Sequence, residues 1–164
     1  MQVTAPGTAA VFAPAAAGVT LPWVSMLLLA WRQEDTVGEA IAGALAQTYS
    51  PLEIVISYDA SPDGTWAAIE RAVAGYRGPH RLVLNRNAAN LGIGAHLSRL
   101  VALSRGELLF ITAGDDVSLP MRCERTVAAW LASGRTLDLI AAPLVDIDAH
   151  GRAYGEVRDR KSVV

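Results

Sequence analysis

The sequence predicts an α/β fold with a mostly parallel sheet and helices on both faces. Three observations predict it. Short, continuous apolar runs of the kind carried by strands covered on both sides alternate with stretches whose apolar residues recur at helical spacing. The breaks between them carry Pro, Gly, Asp and Ser, and neither a repeat nor a linker interrupts the alternation after residue 22. The chain has 164 residues, 52% of them hydrophobic, which suits one ordinary domain with a real core.

The elements follow in order. VSMLLLA (Val24–Ala30) is the first strand. Asp35 or Thr36 can cap the next helix, where Val37, Ala40, Ile41, Ala44 and Leu45 form one stripe. Ser50-Pro51 breaks it and LEIVISY is the second strand. ASPDGT is a turn with Asp63 or Thr65 as cap, and Trp66, Ile69, Val73 and Tyr76 mark the second helix, ended by Gly78-Pro79. RLVLN reads as a third strand, Leu97, Leu100 and Val101 as one face of a third helix, and ELLFIT as a fourth strand. A fourth helix is expected over about residues 119–132, capped by Asp116 or Ser118, and LDLIAAPLV is expected as a fifth strand.

Composition excludes several classes. Fourteen Lys and Arg against 16 Asp and Glu give a formal charge of −2 and no basic footprint, so nucleic acid is not an expected partner. Cys123 is the single cysteine, which forbids an internal disulfide and suits a reducing, cytoplasmic compartment. No apolar run reaches the ~18 residues that cross a bilayer. Residues 1–22 are small, apolar and proline-broken and lack the positive start of a secretory signal, so a flexible leader is expected there.

In parallel sheets ligands bind beyond the carboxyl ends of the strands. The residues there are Trp31 and Arg32, Asp59, the stretch 86–94, and the adjacent pair Asp115 and Asp116. Two neighbouring carboxylates repel unless hydrogen bonds or a cation compensate them, so with Asp59 the pair suggests a site for a hard divalent cation. For the pair alone a solvated turn is the better explanation; its position after a buried strand, with Asp59 after another, brings the two readings level.

The order of the pieces carries more. The stretch from VSMLLLAWRQ through QTYSPLEIVISYDASPDGT resembles the opening of the inverting family 2 glycosyltransferases, which have the Rossmann-like GT-A fold. There V-S-I-I-I-P-T-Y-N is followed by a helix ending L-x-Q-T-Y and by L-E-I-I-V-V-D-D-G-S-x-D-G-T. NLGIGAHLSRLVALSRGELLFITAGDD is similar to that family's N-x-G-x-x-x-A-x-N and A-x-G-E-Y-I-x-F-L-D-x-D-D, and DIDAHGRAYGE to a hairpin found after its fifth strand. Four motifs in register make a strong signal. The resemblance covers about residues 23–155 as a donor-binding domain and leaves 156–164 as a tail.

The resemblance implies roles. Trp31 stands where the family's Tyr stacks on the nucleotide base, beside Leu29. Asp59 matches the Asp that accepts a base N–H, and the loop of Asn90 and Gly92 lets backbone approach the donor. Asp115 matches the ligand of Mg2+ or Mn2+, which bridges the diphosphate of the nucleotide-diphosphate sugar, and Asp116 is a second candidate for the metal. Arg86 is a candidate phosphate neutraliser. The implied activity is transfer from a donor, UDP-sugar foremost, to a saccharide or lipid-linked acceptor, as in polysaccharide biosynthesis. Peripheral contact with the inner face of the membrane and homo-oligomerisation are left open.

The departures bear on this. Leu29 and Ala30 replace Pro-Thr, Arg32 replaces Asn, Tyr58 and Ala60 stand in D-D-G-S, Ser98 replaces Asn, and Ala113 removes the first Asp of D-x-D-D. Arg32 reads as a solvent-exposed loop residue, and His96 as packing or surface. The family's general base follows the metal motif; Asp146 and Asp148 come too early, so it is expected beyond Val164. The expectation is a donor-binding part truncated after the metal-motif region. The alternative is a catalytically inactive nucleotide-sugar-binding module lacking the acceptor half. A phospho-acceptor receiver domain would need an acidic pair where Ala30-Trp31-Arg32 stands and a Lys after the fifth strand, and has neither.

Overall fold

A computed structural model describes residues 20–148 and 152–158. The expected leader lies outside them up to residue 19, as do His150 and residues 159–164 of the expected tail. The described residues separate into two compact units, dividing after Arg125.

The first unit is the parallel α/β layer. Strands β1 (Val24–Ala30), β2 (Leu52–Tyr58), β3 (Arg81–Arg86) and β4 (Leu108–Ala113) form one sheet in the order β3-β2-β1-β4, every pair parallel. β1 and β2 are the central strands, which is why their sequences are almost unbroken apolar runs. Helices α1 (Val37–Leu45), α2 (Thr65–Val73) and α3 (Gly92–Leu103) make the crossovers. The steps β1 to β2 and β2 to β3 run one way along the sheet, and the step β3 to β4 runs back past both. Right-handed crossovers therefore put α1 and α2 on one face and α3 on the other. The contacts agree: α1 packs on α2 and β1, and α3 on β1 and β2.

Strand alternation sorts the core accordingly. Leu27 and Val55 are buried with Leu100 of α3, with Leu29, Val83, Leu97 and Leu103 around them. Met26, Leu28, Ile54 and Ile56 point the opposite way and are also fully buried, as are Val37, Ile41 and Ile69. Burying each such side chain contributes about 1.5–3 kcal/mol.

The amino ends of the strands are tied by a buried carboxylate. Glu53 Oε1 accepts from Ser25 Oγ and the Arg105 amide, both at 2.6 Å, and Oε2 pairs with Arg81 Nη1 at 2.6 Å. At the exit of α1, Gln47 Nε2 donates to the carbonyls of Gly43 and Leu119, and its Oε1 accepts from the Cys123 amide. The QTY stretch thereby anchors the segment that follows β4.

The cap expectations need adjustment. Thr36 is the N-cap of α1, yet its hydroxyl donates to the Gly114 carbonyl instead of capping. Gly64 is the N-cap of α2, while Asp63 Oδ1 accepts from the Thr65 hydroxyl and amide. Helix α4 (Arg122–Ala132) starts three residues later than expected. Neither expected cap serves it: Ser118 Oγ accepts from Arg122 Nη1, and Asp116 Oδ2 from the Ala113 amide.

The second unit corrects the fifth strand. Residues 137–143 hold no regular structure, and β5 (Leu144–Ile147) pairs antiparallel with β6 (Ala153–Arg158) in its own two-stranded sheet. Pro143 lies inside the apolar run and withholds a ladder N–H, so only its end is extended and paired. The hairpin expected over DIDAHGRAYGE is this pair; its tip lies outside the described residues, and β6 continues to Arg158, within the stretch read as a tail.

Candidate functional site

The sheet order reverses between β1 and β4, and a crevice forms at such a switch point outside the carboxyl ends. A cleft of about 390 Å3 opens there, lined by Leu29, Ala30, Trp31, Gln33, Asp59, Asn90, Gly92, Ile93, His96 and Ala113. Five of the residues expected from the sequence therefore share one cleft: Leu29, Trp31, Asp59, Asn90 and Gly92.

Trp31 is 45% exposed and lines the cleft, so the indole is not part of the core. Arg32 follows it at φ 54°, a left-handed backbone uncommon for a side chain of this size, with its guanidinium carbon 4.7 Å from the indole centroid. It is thus stacked on Trp31. Arg86 stacks on Trp66 and Tyr58, at 5.1 and 5.6 Å, and does not line the cleft.

Asp59 is 2% exposed and turned toward the loop before α3. Its Oδ1 accepts from Asn87 Nδ2 at 2.8 Å and from the Leu91 amide at 3.0 Å; Oδ2 accepts from the Leu91 and Gly92 amides at 3.1 Å. Asn90 Oδ1 also takes the Gly92 amide. The loop closes because Gly92 sits at φ 73°, where a side chain would be strained. These three donors take up most of the carboxylate's accepting capacity and fix the shape of the Asn90–Gly92 wall.

His96 lies under that wall, 3% exposed, with Nε2 2.7 Å from Ser57 Oγ and Nδ1 3.9 Å from Asp59 Oδ2. Ser57 also accepts from Asn85 Nδ2, which reaches Asn87 Oδ1 as well. Burial pushes the His96 pKa below 6.5, partly opposed by the Asp59 charge. His96 is packing, as expected, but packing that supports the cleft. Among the described residues, Asp59 and His96 are the titratable side chains in the lining, and both are engaged.

Asp115 and Asp116 follow β4 and are exposed, outside the lining. The expected trio of Asp59 with this pair does not form: among the described residues no three His, Cys, Asp or Glu gather to hold a metal. The reason is that Asp59 faces its loop and Asp116 Oδ2 bonds back to the Ala113 amide. Asp115 Oδ1 accepts from Gln33 Nε2 at 2.8 Å. One such carboxylate fits a hard cation only if the ligand supplies most of the shell.

Sequence reasoning missed Gln33, Asn87 and Ser57. Gln33 is two residues past Trp31 and Asn87 lies within the stretch 86–94, so position was the available signal; their partners were not.

The family model of Glycosyl transferase family 2 matches residues 25–156. A 48-residue stretch is 40% identical to the Escherichia coli UDP-Glc:alpha-D-GlcNAc-diphosphoundecaprenol beta-1,3-glucosyltransferase WfaP, over 29% of this chain and 19% of that protein. The fold is similar to S. aureus TarS 1-349 in complex with UDP-GlcNAc, with a TM-score of 0.58 and 20% identity over 68% of this chain and 32% of that one. It is also similar to mannosyltransferase PcManGT from Pyrobaculum calidifontis in complex with GDP-Man and Mn2+, with a TM-score of 0.54 and 24% identity over 58% of this chain and 28% of that one. The chain thus spans about a third or less of these relatives. With a parallel GT-A sheet, a cleft at its switch point and a family match over most of its length, the chain belongs to glycosyl transferase family 2.

Proposed function

We propose that the chain is the donor-binding part of an inverting glycosyltransferase that takes a nucleotide-diphosphate sugar, with UDP as the nucleotide, and serves a saccharide or lipid-linked hydroxyl acceptor. One observation carries the reading: an exposed indole and a carboxylate-ordered loop line the same cleft at the switch point. Trp31 offers its exposed indole to the base, and Leu29 and Ala113 add apolar lining. Asp59 acts by holding Asn90 and Gly92 in the shape that admits the donor. Asp115 would hold Mg2+ or Mn2+, with Asp116 Oδ1 as the second candidate; when bound, the cation supplies charge neutralisation to the departing diphosphate. The named donors of the relatives, UDP-Glc, UDP-GlcNAc and GDP-Man, support the substrate class, and the first two support UDP.

A second reading, donor binding without transfer by these residues, is favoured by the lining itself. Its two titratable groups are taken by internal bonds, and neither is free as a general base. Calorimetry with UDP, GDP and dTDP, with and without Mn2+, tests the donor site. UDP is expected to bind, more tightly with metal, and to raise the melting temperature. No heat with any of the three at millimolar concentration refutes it. Sugar transfer by the same residues overturns the second reading.

A further inference from the structure

The side chain of Gln33 spans the mouth of the switch point. Its Oε1 accepts from the Trp31 amide at 3.2 Å and its Nε2 donates to Asp115 Oδ1 at 2.8 Å, so one amide joins the exit of β1 to the exit of β4. Its own backbone is fixed, because the Gln33 amide donates to the buried Thr65 hydroxyl at 2.8 Å. The space is shaped for it as well: a Cβ added at Gly114 would lie 2.5 Å from Gln33 Oε1, so this glycine leaves room for the amide.

We propose that Gln33 is a positioning residue that orients the Asp115 carboxylate toward a cation held by the donor's diphosphate and couples that site to the Trp31 loop. The inference rests on the donor-binding reading above. Without the Gln33 donor, Asp115 is an exposed carboxylate that samples several rotamers, and fixing it must be done by the incoming cation. With the donor, Oδ1 is held and the carboxylate has fewer orientations to sample. Because the same amide holds the Trp31 backbone, an occupant of either place stiffens the other.

The test is the ratio of the UDP dissociation constants without and with Mn2+, measured by calorimetry on the whole chain. UMP, which carries no diphosphate, reports on the base platform alone. Two variants approach Gln33 from different sides. Gln33→Met keeps its length and removes both hydrogen bonds, and Gly114→Ala displaces the amide with one methyl. Both are expected to cut the Mn2+ ratio by at least about five-fold while UMP binding changes less. A ratio equal to that of the parent in either folded variant overturns the positioning role, as does a loss confined to UMP. If the parent itself shows no UDP binding, the donor-binding reading falls and this inference with it; a parent that responds to Mn2+ and variants that respond equally sink this inference alone.

Discussion

Replacing Asp59 by Asn tests the loop-shaping role at nearly constant volume. The carboxylate holds three donors: Asn87 Nδ2, the Leu91 amide and the Gly92 amide. An amide side chain keeps one accepting oxygen, enough for Asn87 and Leu91, and turns an N–H2 toward the Gly92 N–H. Gly92 retains Asn90 Oδ1, so one charge-assisted bond is lost outright. Such a bond contributes about 1.5–3 kcal/mol. For a chain of this size that lowers the melting temperature by roughly 3–12 °C. If the loss is local, exchange of the Leu91 and Gly92 amides accelerates by about 10- to 150-fold relative to core strand amides. UDP binding weakens by a similar factor with and without Mn2+, because the damage lies in the wall and not at Asp115. The His96 pKa should fall further, since the Asp59 charge that partly offsets its burial is gone. Amide exchange by NMR decides it: unchanged protection at Leu91 and Gly92 would mean that the carboxylate does not hold the loop.

His96 makes stability depend on pH. Its folded pKa is below 6.5, chiefly through burial, so the unfolded chain binds more protons and stability rises with pH. The contribution is complete above 6.5 and is lost as pH falls through the folded value; urea midpoints between pH 7 and 5 should drop in the parent and drop less in His96→Gln, and parallel slopes would refute it. Cys123 is buried, which pushes its thiol up to about 12 against the opposing charge of Arg122, so Ellman's reagent at pH 8 should label it only after denaturation. Asp115→Asn should abolish the Mn2+ enhancement of UDP binding and leave UMP binding intact; an enhancement that survives removes Asp115 from the metal site.

The fold was legible where one residue's character decides its place. The apolar runs of β1 and β2 became the two central strands, and the stripe Val37, Ala40, Ile41, Ala44 is buried in α1 as its spacing requires. The end of the chain was not legible by the same signal. LDLIAAPLV is as apolar as β2, but it contains Pro143, and what it pairs with is decided by the partner strand Ala153–Arg158. The site divides along the same line. Trp31, Asn90 and Gly92 could be placed because each sits beside a strand end or in a turn whose position the local pattern fixes.

Polar side chains do not announce their partners. Asp59 reads in the sequence as a group waiting for a ligand, and in the structure most of its capacity is spent on Asn87, Leu91 and Gly92, about thirty residues away in the chain. Gln33 reads as an ordinary loop residue and bonds to Asp115 across a separation of 82. The two cases have one cause. A cleft at a switch point is built from loops that have no common secondary structure, so beyond the few backbone bonds at the strand exits (Asp59 N–H to Ala30 O, Gly114 N–H to Leu29 O) side-chain bonds brace its walls. Residues that resemble ligand contacts are therefore the ones most needed as internal braces, and a substitution at either Asp59 or Gln33 should alter the shape of the cleft before it alters any contact with a donor.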